Sequence, residues 1–256
     1  MKQLRQTMSL ITYNIHKGFG VGKLRFLLPE MRSALSGLNP DFVFLQEVQG
    51  LHSRRAKRIQ AWPDMPQFEY IAENDWPHFL YAKNAIYQSG HHGNAILSKY
   101  PFVQYENINL STHNRASRSI LHGQVKIGAN QTLHLLCVHL GLFKSERASQ
   151  CRAMIKQIRD VVPLNEPLLM GGDFNDWRLH LSKPLAEELG ISEAFQCLEG
   201  QHARSFPALK PALCVDRIYF RGLEAKSVKC LHEKPWRTLS DHLPLCAEFA
   251  LFDKDV

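Results

Sequence analysis

Acids, amides and histidines interrupt apolar stretches at six places along the chain. Each place follows or lies inside a run typical of a buried strand. The residues are Asn14 and His16, Gln46 and Glu47, His139, Asp173 to Asp176, Asp216, and Asp241 and His242. Strand ends and the loops that follow them carry the chemistry of α/β folds. Six interruptions in similar positions therefore predict one shared site.

The residue types at these places indicate hydrolysis assisted by a metal ion. Glu47 supplies oxygen ligands, with help from one or more of Asp173, Asn14, Asn175 and Asp241. Oxygen ligands suit Mg²⁺, Mn²⁺ or Ca²⁺, and a Mg²⁺ site typically uses one or two carboxylates plus substrate phosphate. Asp216 is a candidate orienting acid for His242, and an Asp–His pair is a general-base arrangement. Together these features predict hydrolysis of a phosphate ester.

Each place also has an ordinary structural interpretation. The Gly-Asp-Phe-Asn stretch that ends at Asn175 is compatible with an Asx-turn, and the Ser-Asp-His stretch that ends at His242 is compatible with a cap or turn. Asp216 is compatible with a structural ion pair to Arg217. Taken singly, each short motif is more often structural than functional. The functional hypothesis rests on all six occurring in one chain.

Nine short runs rich in β-branched and aromatic residues predict the strands that position these side chains. They cover residues 9–15, 41–45, 68–71, 94–98, 120–127, 133–140, 167–170, 215–220 and 245–251. Periodicity and stop signals predict helices at 25–38 and 145–162, with shorter candidates at 52–61 and 184–189. The irregular alternation of strands and helices predicts an α/β layered sandwich.

Composition and length are those of one globular domain spanning residues 1–256. The chain has 31 Lys and Arg against 24 Asp and Glu, so its net charge is +7. This charge suits an anionic partner such as nucleic acid, a phosphate ester or a lipid headgroup. No apolar run approaches the roughly 20 residues of a transmembrane segment, and the stretch after Met8 is too short and polar for a signal peptide. We therefore expect a cytoplasmic protein, of an oligomeric state that the sequence leaves open.

Seven segments carry a resemblance to a known family. They are T-Y-N-I-H-K-G at 12–18, L-Q-E-V at 45–48, G-N-A-I-L-S-K-Y-P at 93–101, V-H-L-G at 138–141, G-G-D-F-N-D-W at 171–177, V-D-R-I-Y at 215–219 and L-S-D-H-L-P-L at 239–245. In this order, over residues 8–251, they resemble the endonuclease/exonuclease/phosphatase superfamily with its DNase I-like fold. The resemblance implies a four-layer sandwich of two mixed β-sheets flanked by helices, with the active site at one edge.

The resemblance implies a metal-dependent phosphoric ester hydrolase. Glu47 would hold the catalytic Mg²⁺, for which Mn²⁺ is a substitute. Asn14 would lie beside the ion and help to fix both metal and phosphate. Asp241 would lie near the metal.

The resemblance also implies roles in the reaction itself. His139 would contact the phosphate or act as an acid, and Asn175 would bind the phosphate. Asp173 would orient or activate the attacking water, while Asp216 would orient His242. His242 would act as general base or phosphate stabiliser. Whether Asp173 or His242 takes the proton stays open at the level of sequence.

The chain departs from the family pattern around His139. DNase I supports this histidine with a Glu, whereas the corresponding region here offers His92 and Asn94 as substitutes and candidate substrate contacts. Lys17 is a further candidate for contacting substrate phosphate. Exonuclease III-type repair enzymes carry Tyr in place of His139, which argues against an abasic-site endonuclease.

The sequence leaves the substrate class open. The net charge and the basic residues at positions 54, 55, 57 and 58 slightly favour nucleic acid. A phospholipid or sphingomyelin-type phosphodiester is the alternative, and a non-catalytic scaffold on the same fold is a third hypothesis. Trp177 is of a type that stacks on bases or enters lipid surfaces, but we expect it to pack. We also expect Arg147 and Gln150 to brace the loop after His139.

Overall fold

The computed structural model describes residues 7–23, 25–111, 118–127 and 131–251. Within these residues, two six-stranded β-sheets pack face to face with helices on both outer faces. The predicted four-layer α/β sandwich is therefore confirmed. No helix in the described ranges is long and apolar enough to cross a membrane. Residues 1–6, which bear on the expected location, lie outside the described residues, so the cytoplasmic location and the single-domain organisation stay predictions.

The strands of the described residues are numbered in chain order. They span Thr7–Asn14 (β1), Phe42–His52 (β2), His78–Tyr87 (β3), Gly90–Ser98 (β4), Phe102–Asn109 (β5), Ser119–Ile127 (β6), Gln131–His139 (β7), Leu168–Asp173 (β8), Ser192–Glu193 (β9), Asp216–Arg221 (β10), Leu223–Cys230 (β11) and Leu245–Leu251 (β12). The sheet orders are β11-β12-β1-β2-β4-β3 and β5-β6-β7-β8-β10-β9. The pairs β1–β2 and β7–β8 are parallel and their other neighbours antiparallel, so both sheets are mixed.

Helices cover the outer face of each sheet. The helices of the described residues span Leu28–Leu38 (α1), Ser53–Ala56 (α2), Gln67–Ala72 (α3), Lys144–Val161 (α4), Ser182–Leu189 (α5), Ala194–Glu199 (α6) and Trp236–Leu239 (α7). Helix α6 contacts β10 and β11, and its residues Ala194 and Phe195 join the apolar layer between the sheets. Apolar residues of α1, α3 and α7 pack on the first sheet. Those of α4 and α5 pack on the second sheet.

Successive side chains of the inner strands fill two different apolar layers. Along β2, Phe42 and Phe44 lie between the sheets and join Leu135 in one cluster. Val43 and Leu45 face the opposite side of the strand and pack beneath α1 and α3. Burial on both faces explains why these strands are continuous apolar runs in the sequence. The inner strands are held from both sides, so their ends give the site a rigid base.

Eight of the nine predicted strands are confirmed, and these eight are the inner strands of the two sheets. The four edge strands, β3, β5, β9 and β11, lack a predictive apolar run because they are short or partly exposed. The strand predicted at 68–71 is wrong. Phe68 and Ile71 lie in α3 at helical spacing, and both face the core outside the first sheet.

The helix predictions at 25–38 and 145–162 are confirmed as α1 and α4, with no end shifted by more than three residues. The candidate at 184–189 lies within α5. The candidate at 52–61 forms a helix only over the single turn of α2. This stretch has no apolar stripe to pack, because basic residues occupy positions 54, 55, 57 and 58.

Gly172 lets β7 and β8 approach closely just before Asp173. Its φ is 147°, and a Cβ at this position would lie 1.9 Å from the carbonyl oxygen of Val138. Glycine is therefore needed where the strands that carry His139 and Asp173 pair. Gly37, on the exposed side of α1, is the opposite case, since a Cβ there would meet no atom within 4 Å.

Gly172→Ala is expected to lower the free energy of unfolding by at least about 2 kcal/mol, because the methyl group meets Val138 and the backbone conformation favours glycine. Urea unfolding followed by circular dichroism measures this change. The matched variant Gly37→Ala is expected to stabilise the chain by up to about 1 kcal/mol, because Ala is the better helix former. Equal stability of Gly172→Ala and the unchanged chain would show that β7 and β8 tolerate wider spacing.

Candidate active site

Asp173 lies at the centre of the polar residues at the ends of β1, β7 and β8. Its Oδ2 accepts a hydrogen bond from Asn14 Nδ2 at 3.2 Å, across the two sheets. The Nε2 atoms of His139 and His242 lie 3.6 Å and 3.9 Å from the same oxygen. All four side chains are buried. The fold thus brings together four of the predicted site residues that are far apart in sequence.

Asp216 fixes the orientation of His242. Strand β10 begins at Asp216, beside the end of β8. Asp216 Oδ2 accepts a hydrogen bond from Ser205 Oγ at 2.5 Å and lies 2.9 Å from His242 Nδ1. Arg217 pairs with Asp176 at 3.3 Å. The structural interpretation of Asp216 as the partner of Arg217 is therefore wrong.

Glu47 lies in an irregular stretch of β2, where the pairing with β4 is interrupted. Its backbone is left-handed, with a φ of 55°, and His16, Lys17 and Asn175 also have positive φ. Non-glycine residues in this conformation are strained and cluster at functional sites. The Glu47 carboxylate forms an ion pair with Lys17 Nζ. Burial opposes its ionisation, but the charge and hydrogen bond of Lys17 help to hold the pKa of Glu47 below its usual range.

The loop before β12 holds the end of β1 in place. Ser240 Oγ donates a hydrogen bond to the carbonyl oxygen of Asn14 at 2.7 Å. The backbone N–H of His16 donates to Asn14 Oδ1 at 3.1 Å, and His16 Nδ1 lies 3.5 Å from Asp241 Oδ1. The predicted ligands Glu47 and Asp241 therefore both lie beside the 16–17 turn that follows β1.

Burial and neighbouring charges set the protonation of the two central groups. Burial raises the pKa of Asp173 to about 7, despite the opposing charge of His242. Burial alone would lower the pKa of His242, but the charge and hydrogen bond of Asp216 raise it to about 10. At neutral pH, His242 is therefore a charged imidazolium. The carboxyl group of Asp173 is the one that titrates near neutrality.

Arg118, which no sequence motif marks, lies beside His139. Its Nη1 atom is 3.3 Å from both ring nitrogens of His139. Burial, followed by the charge of Arg118, holds the pKa of His139 well below its usual range, so this imidazole is neutral. Among the described residues, no carboxylate forms an ion pair with Arg118. Its guanidinium is therefore available to an anionic ligand.

The predicted substitutes for the Glu that supports His139 in DNase I do not take that place. Within the described part of the chain, neither His92 nor Asn94 hydrogen-bonds to His139, and Arg118 lies there instead. The side chain of Asn94 donates to a β6 carbonyl at 3.4 Å. His92 is near Lys17, and burial followed by the charge of Lys17 lowers its pKa to about 4.

Asp173 and Asn175 form a turn as well as a site. The backbone N–H of Asn175 donates to Asp173 Oδ1 at 2.9 Å, which is the Asx-turn compatible with the sequence. The other carboxylate oxygen of Asp173 faces Asn14 and the two histidines. Asn175 Nδ2 donates to the carbonyl oxygen of Leu140 at 3.0 Å, so this amide ties the loops after β7 and β8 together.

Two groupings offer ligands for a metal ion. Ligand atoms of Asp173, Asp216 and His242 lie within 4.8 Å of one another, but hydrogen bonds with each other and with neighbouring groups already engage them. The Glu47 carboxylate is instead paired with the side chain of Lys17, so its surroundings already accept a cation. The ligands predicted from the sequence, Glu47, Asn14 and Asp241, are all oxygen donors. This donor set fits a hard divalent cation.

Comparison with known proteins agrees with the fold and with the residue pattern. The model of the Endonuclease/Exonuclease/phosphatase family matches residues 11–242. The uncharacterized protein YbhP of Escherichia coli (strain K12) is 41% identical, over 96% of this chain and 97% of its own length.

Solved structures share the fold at low sequence identity. The endonuclease/exonuclease/phosphatase from Beutenbergia cavernae DSM 12333 has a TM-score of 0.74 at 18% identity, covering 96% of this chain and 72% of its own. D. rerio TDP2 complexed with single strand DNA product has a TM-score of 0.68 at 22% identity, covering 95% of this chain and 99% of its own. The match over most of the chain and the 41% identical relative show that this chain belongs to the Endonuclease/Exonuclease/phosphatase family.

Proposed function

We propose that this chain is a Mg²⁺-dependent phosphodiesterase. The observation that carries the proposal is the convergence of Asn14, His139 and His242 on one oxygen of the buried Asp173, within 3.9 Å. The site therefore contains a carboxyl group that titrates near neutrality (Asp173), a neutral imidazole (His139) and a charged imidazolium (His242). They supply a proton acceptor, a hydrogen-bond donor and positive charge, which hydrolysis of a phosphate ester uses. Family membership supports a phosphoesterase.

Asp173 is the proton acceptor in this proposal. A water oxygen bonds to phosphorus while the bond between phosphorus and the leaving ester oxygen breaks, and that bond's electron pair goes to the ester oxygen. The attacking water gives its proton to Asp173, whose pKa of about 7 suits this transfer at neutral pH. His242 is already protonated, so it stabilises phosphate charge and does not act as the base. The leaving oxygen takes a proton from solvent.

The phosphate would lie between cationic and neutral donors. Arg118 and the neutral His139, which lie 3.3 Å apart, would donate hydrogen bonds to its free oxygens. Glu47, Asn14 and Asp241 would hold Mg²⁺, with Mn²⁺ as a substitute. When bound, the ion supplies positive charge that offsets the charge developing on the phosphate oxygens.

The proposed substrate is a phosphodiester on an anionic molecule. The net charge of +7 suits nucleic acid and anionic phospholipid alike, because both present closely spaced phosphates. Because a structurally similar TDP2 holds a single strand DNA product, nucleic acid is one substrate class to be assayed. A phospholipid phosphodiester is the other substrate class to be assayed.

Glu47→Gln is expected to lower the rate of phosphodiester hydrolysis at least about a hundredfold, because the amide keeps the shape but removes the charge that would hold the cation. Hydrolysis of bis-p-nitrophenyl phosphate by purified protein measures the rate. Chelation of divalent ions should abolish the activity and added Mg²⁺ should restore it. His242→Ala is expected to cost a similar factor through loss of its positive charge.

The matched control is Glu69→Gln, which removes a half-buried carboxylate of α3, and it should leave the rate unchanged. Wild-type turnover in Glu47→Gln would remove the metal assignment. Absence of both hydrolysis and Mg²⁺ binding in the unchanged chain would favour the scaffold hypothesis.

Arg118→Gln is expected to raise KM for bis-p-nitrophenyl phosphate about tenfold or more, because hydrogen bonds to charged groups contribute about 1.5–3 kcal/mol. Steady-state kinetics separates this effect from kcat, which should change less. Arg159→Gln is the control, because Arg159 is an exposed residue of α4 that pairs with Glu188. An unchanged KM in Arg118→Gln would exclude direct contact between Arg118 and the phosphate.

A further inference from the structure

Two loops beside the site carry exposed apolar side chains. Leu142-Phe143-Lys144 begins three residues after His139, and Trp177-Arg178-Leu179 begins two residues after Asn175. Leu142 is 60% exposed, Phe143 is 73% exposed and Trp177 is 43% exposed. Trp177, which we expected to pack, is therefore only partly covered. Large apolar groups next to a site indicate an interaction surface.

The exposure of these side chains is built into the structure. Arg147 is buried and donates hydrogen bonds to the carbonyl oxygens of Gly141 and Leu142. The same guanidinium lies over the ring of Trp177, 5.0 Å from its centroid. Gln150, also buried, accepts a hydrogen bond from the N–H of Gly141 at 2.8 Å. The bracing of this loop by Arg147 and Gln150, expected from the sequence, is thus confirmed, and it holds the apolar side chains toward solvent.

Positive charge accompanies the apolar side chains. Each of the two triplets has one exposed cation, Lys144 or Arg178, and neither has a carboxylate. The opposite sheet repeats the pattern at residues 51–58 and at the β3–β4 hairpin. Leu51 and Ile86 are exposed there, beside the exposed basic residues Arg54, Lys57 and Arg58. Both sides of the site therefore combine apolar side chains with positive charge.

We propose that the loops at 142–144 and 177–179 dock the protein on an anionic phospholipid bilayer, whose lipid phosphodiester is the substrate. This inference rests on the proposed function. Trp and Phe with neighbouring Leu suit the boundary between headgroups and acyl chains, and Lys and Arg attract anionic lipids. Nucleic acid fits the surface less well. Bases stack on aromatic rings, but they offer no comparable environment for the exposed leucines at 142 and 179.

The loop that carries Leu142 and Phe143 is attached directly to the site. Leu140, two residues before Leu142, hydrogen-bonds through its N–H to the carbonyl of Asp173 and through its carbonyl to Asn175. A bilayer that meets Leu142 and Phe143 therefore presents its phosphates near the central carboxylate. The docking groups stay outside the reacting groups, so they act by positioning.

Trp177 is a built-in reporter for the test. The chain has four tryptophans, and Trp62, Trp76 and Trp236 are buried. Vesicles of phosphatidylglycerol and phosphatidylcholine should shift the emission of Trp177 to the blue, since an apolar environment surrounds the ring on insertion. Vesicles of phosphatidylcholine alone should do so weakly, and high salt should weaken the effect. Trp177→Phe should abolish the shift and so identifies its source.

Cosedimentation with sucrose-loaded vesicles measures binding without any need for catalysis. Phe143→Ser and Leu142→Ser are each expected to weaken binding to the anionic vesicles about tenfold. Leu164→Ser is the matched control, because Leu164 is an exposed leucine in the loop before β8, and it should bind as the unchanged chain does. All three positions are exposed, so folding is expected to survive the changes.

Vesicle binding tests the docking surface, and hydrolysis tests the proposed function, so either can be overturned without the other. Vesicle binding without hydrolysis of bis-p-nitrophenyl phosphate would uphold the docking surface and overturn the proposed function. Hydrolysis without vesicle binding, or binding that Phe143→Ser leaves unchanged, would overturn the docking surface. Quenching of Trp177 emission by a single-stranded oligonucleotide, with no vesicle-induced shift, would replace the bilayer with nucleic acid as the partner.

Discussion

The hydrogen bond from Asn14 to Asp173 joins the two sheets at the edge where their parallel central strands end. Both partners are buried, so the bond forms away from water and each would be costly to leave without it. The bond needs the sheets to pack at one fixed separation, and Phe44 and Leu135 in the layer between them set that separation. The distances from Asp173 to His139 and His242 follow from the same packing.

The rest of the site is held in conformations that an isolated peptide would avoid. His16, Lys17, Glu47 and Asn175 all have positive φ, and each such residue costs about 1–3 kcal/mol when the strain is not relieved. Strand β2 stays paired on both sides of Glu47, with residues 45 and 48 in register with β4. The sheet therefore forces the strained residue between them to keep its carboxylate toward Lys17.

The sequence predicts those elements whose burial produces a recognisable pattern of apolar residues. Strands buried on both faces are continuous apolar runs, so the inner eight could be predicted, whereas edge strands such as β3 and β5 are half exposed and leave no such run. The polar residues that end these apolar runs also stand out in the sequence, so a shared site at one edge of the sheets could be predicted. Arg118 and Ser205 could not be found in this way. Each acts through one tertiary contact, to His139 and Asp216 respectively, and a single contact has no periodicity.

The proposed docking surface and the proposed catalytic residues belong to one packed unit. Arg147 and Gln150 fix the loop that presents Leu142 and Phe143, and the same loop continues directly from His139 at the end of β7. Because β6 and β8 hold β7 from both sides, we expect the loop to engage a bilayer without rearrangement. The apolar side chains can then control which phosphates reach the site without altering the chemistry there. Selectivity for a surface and catalytic geometry are therefore separable, even though one short segment carries both.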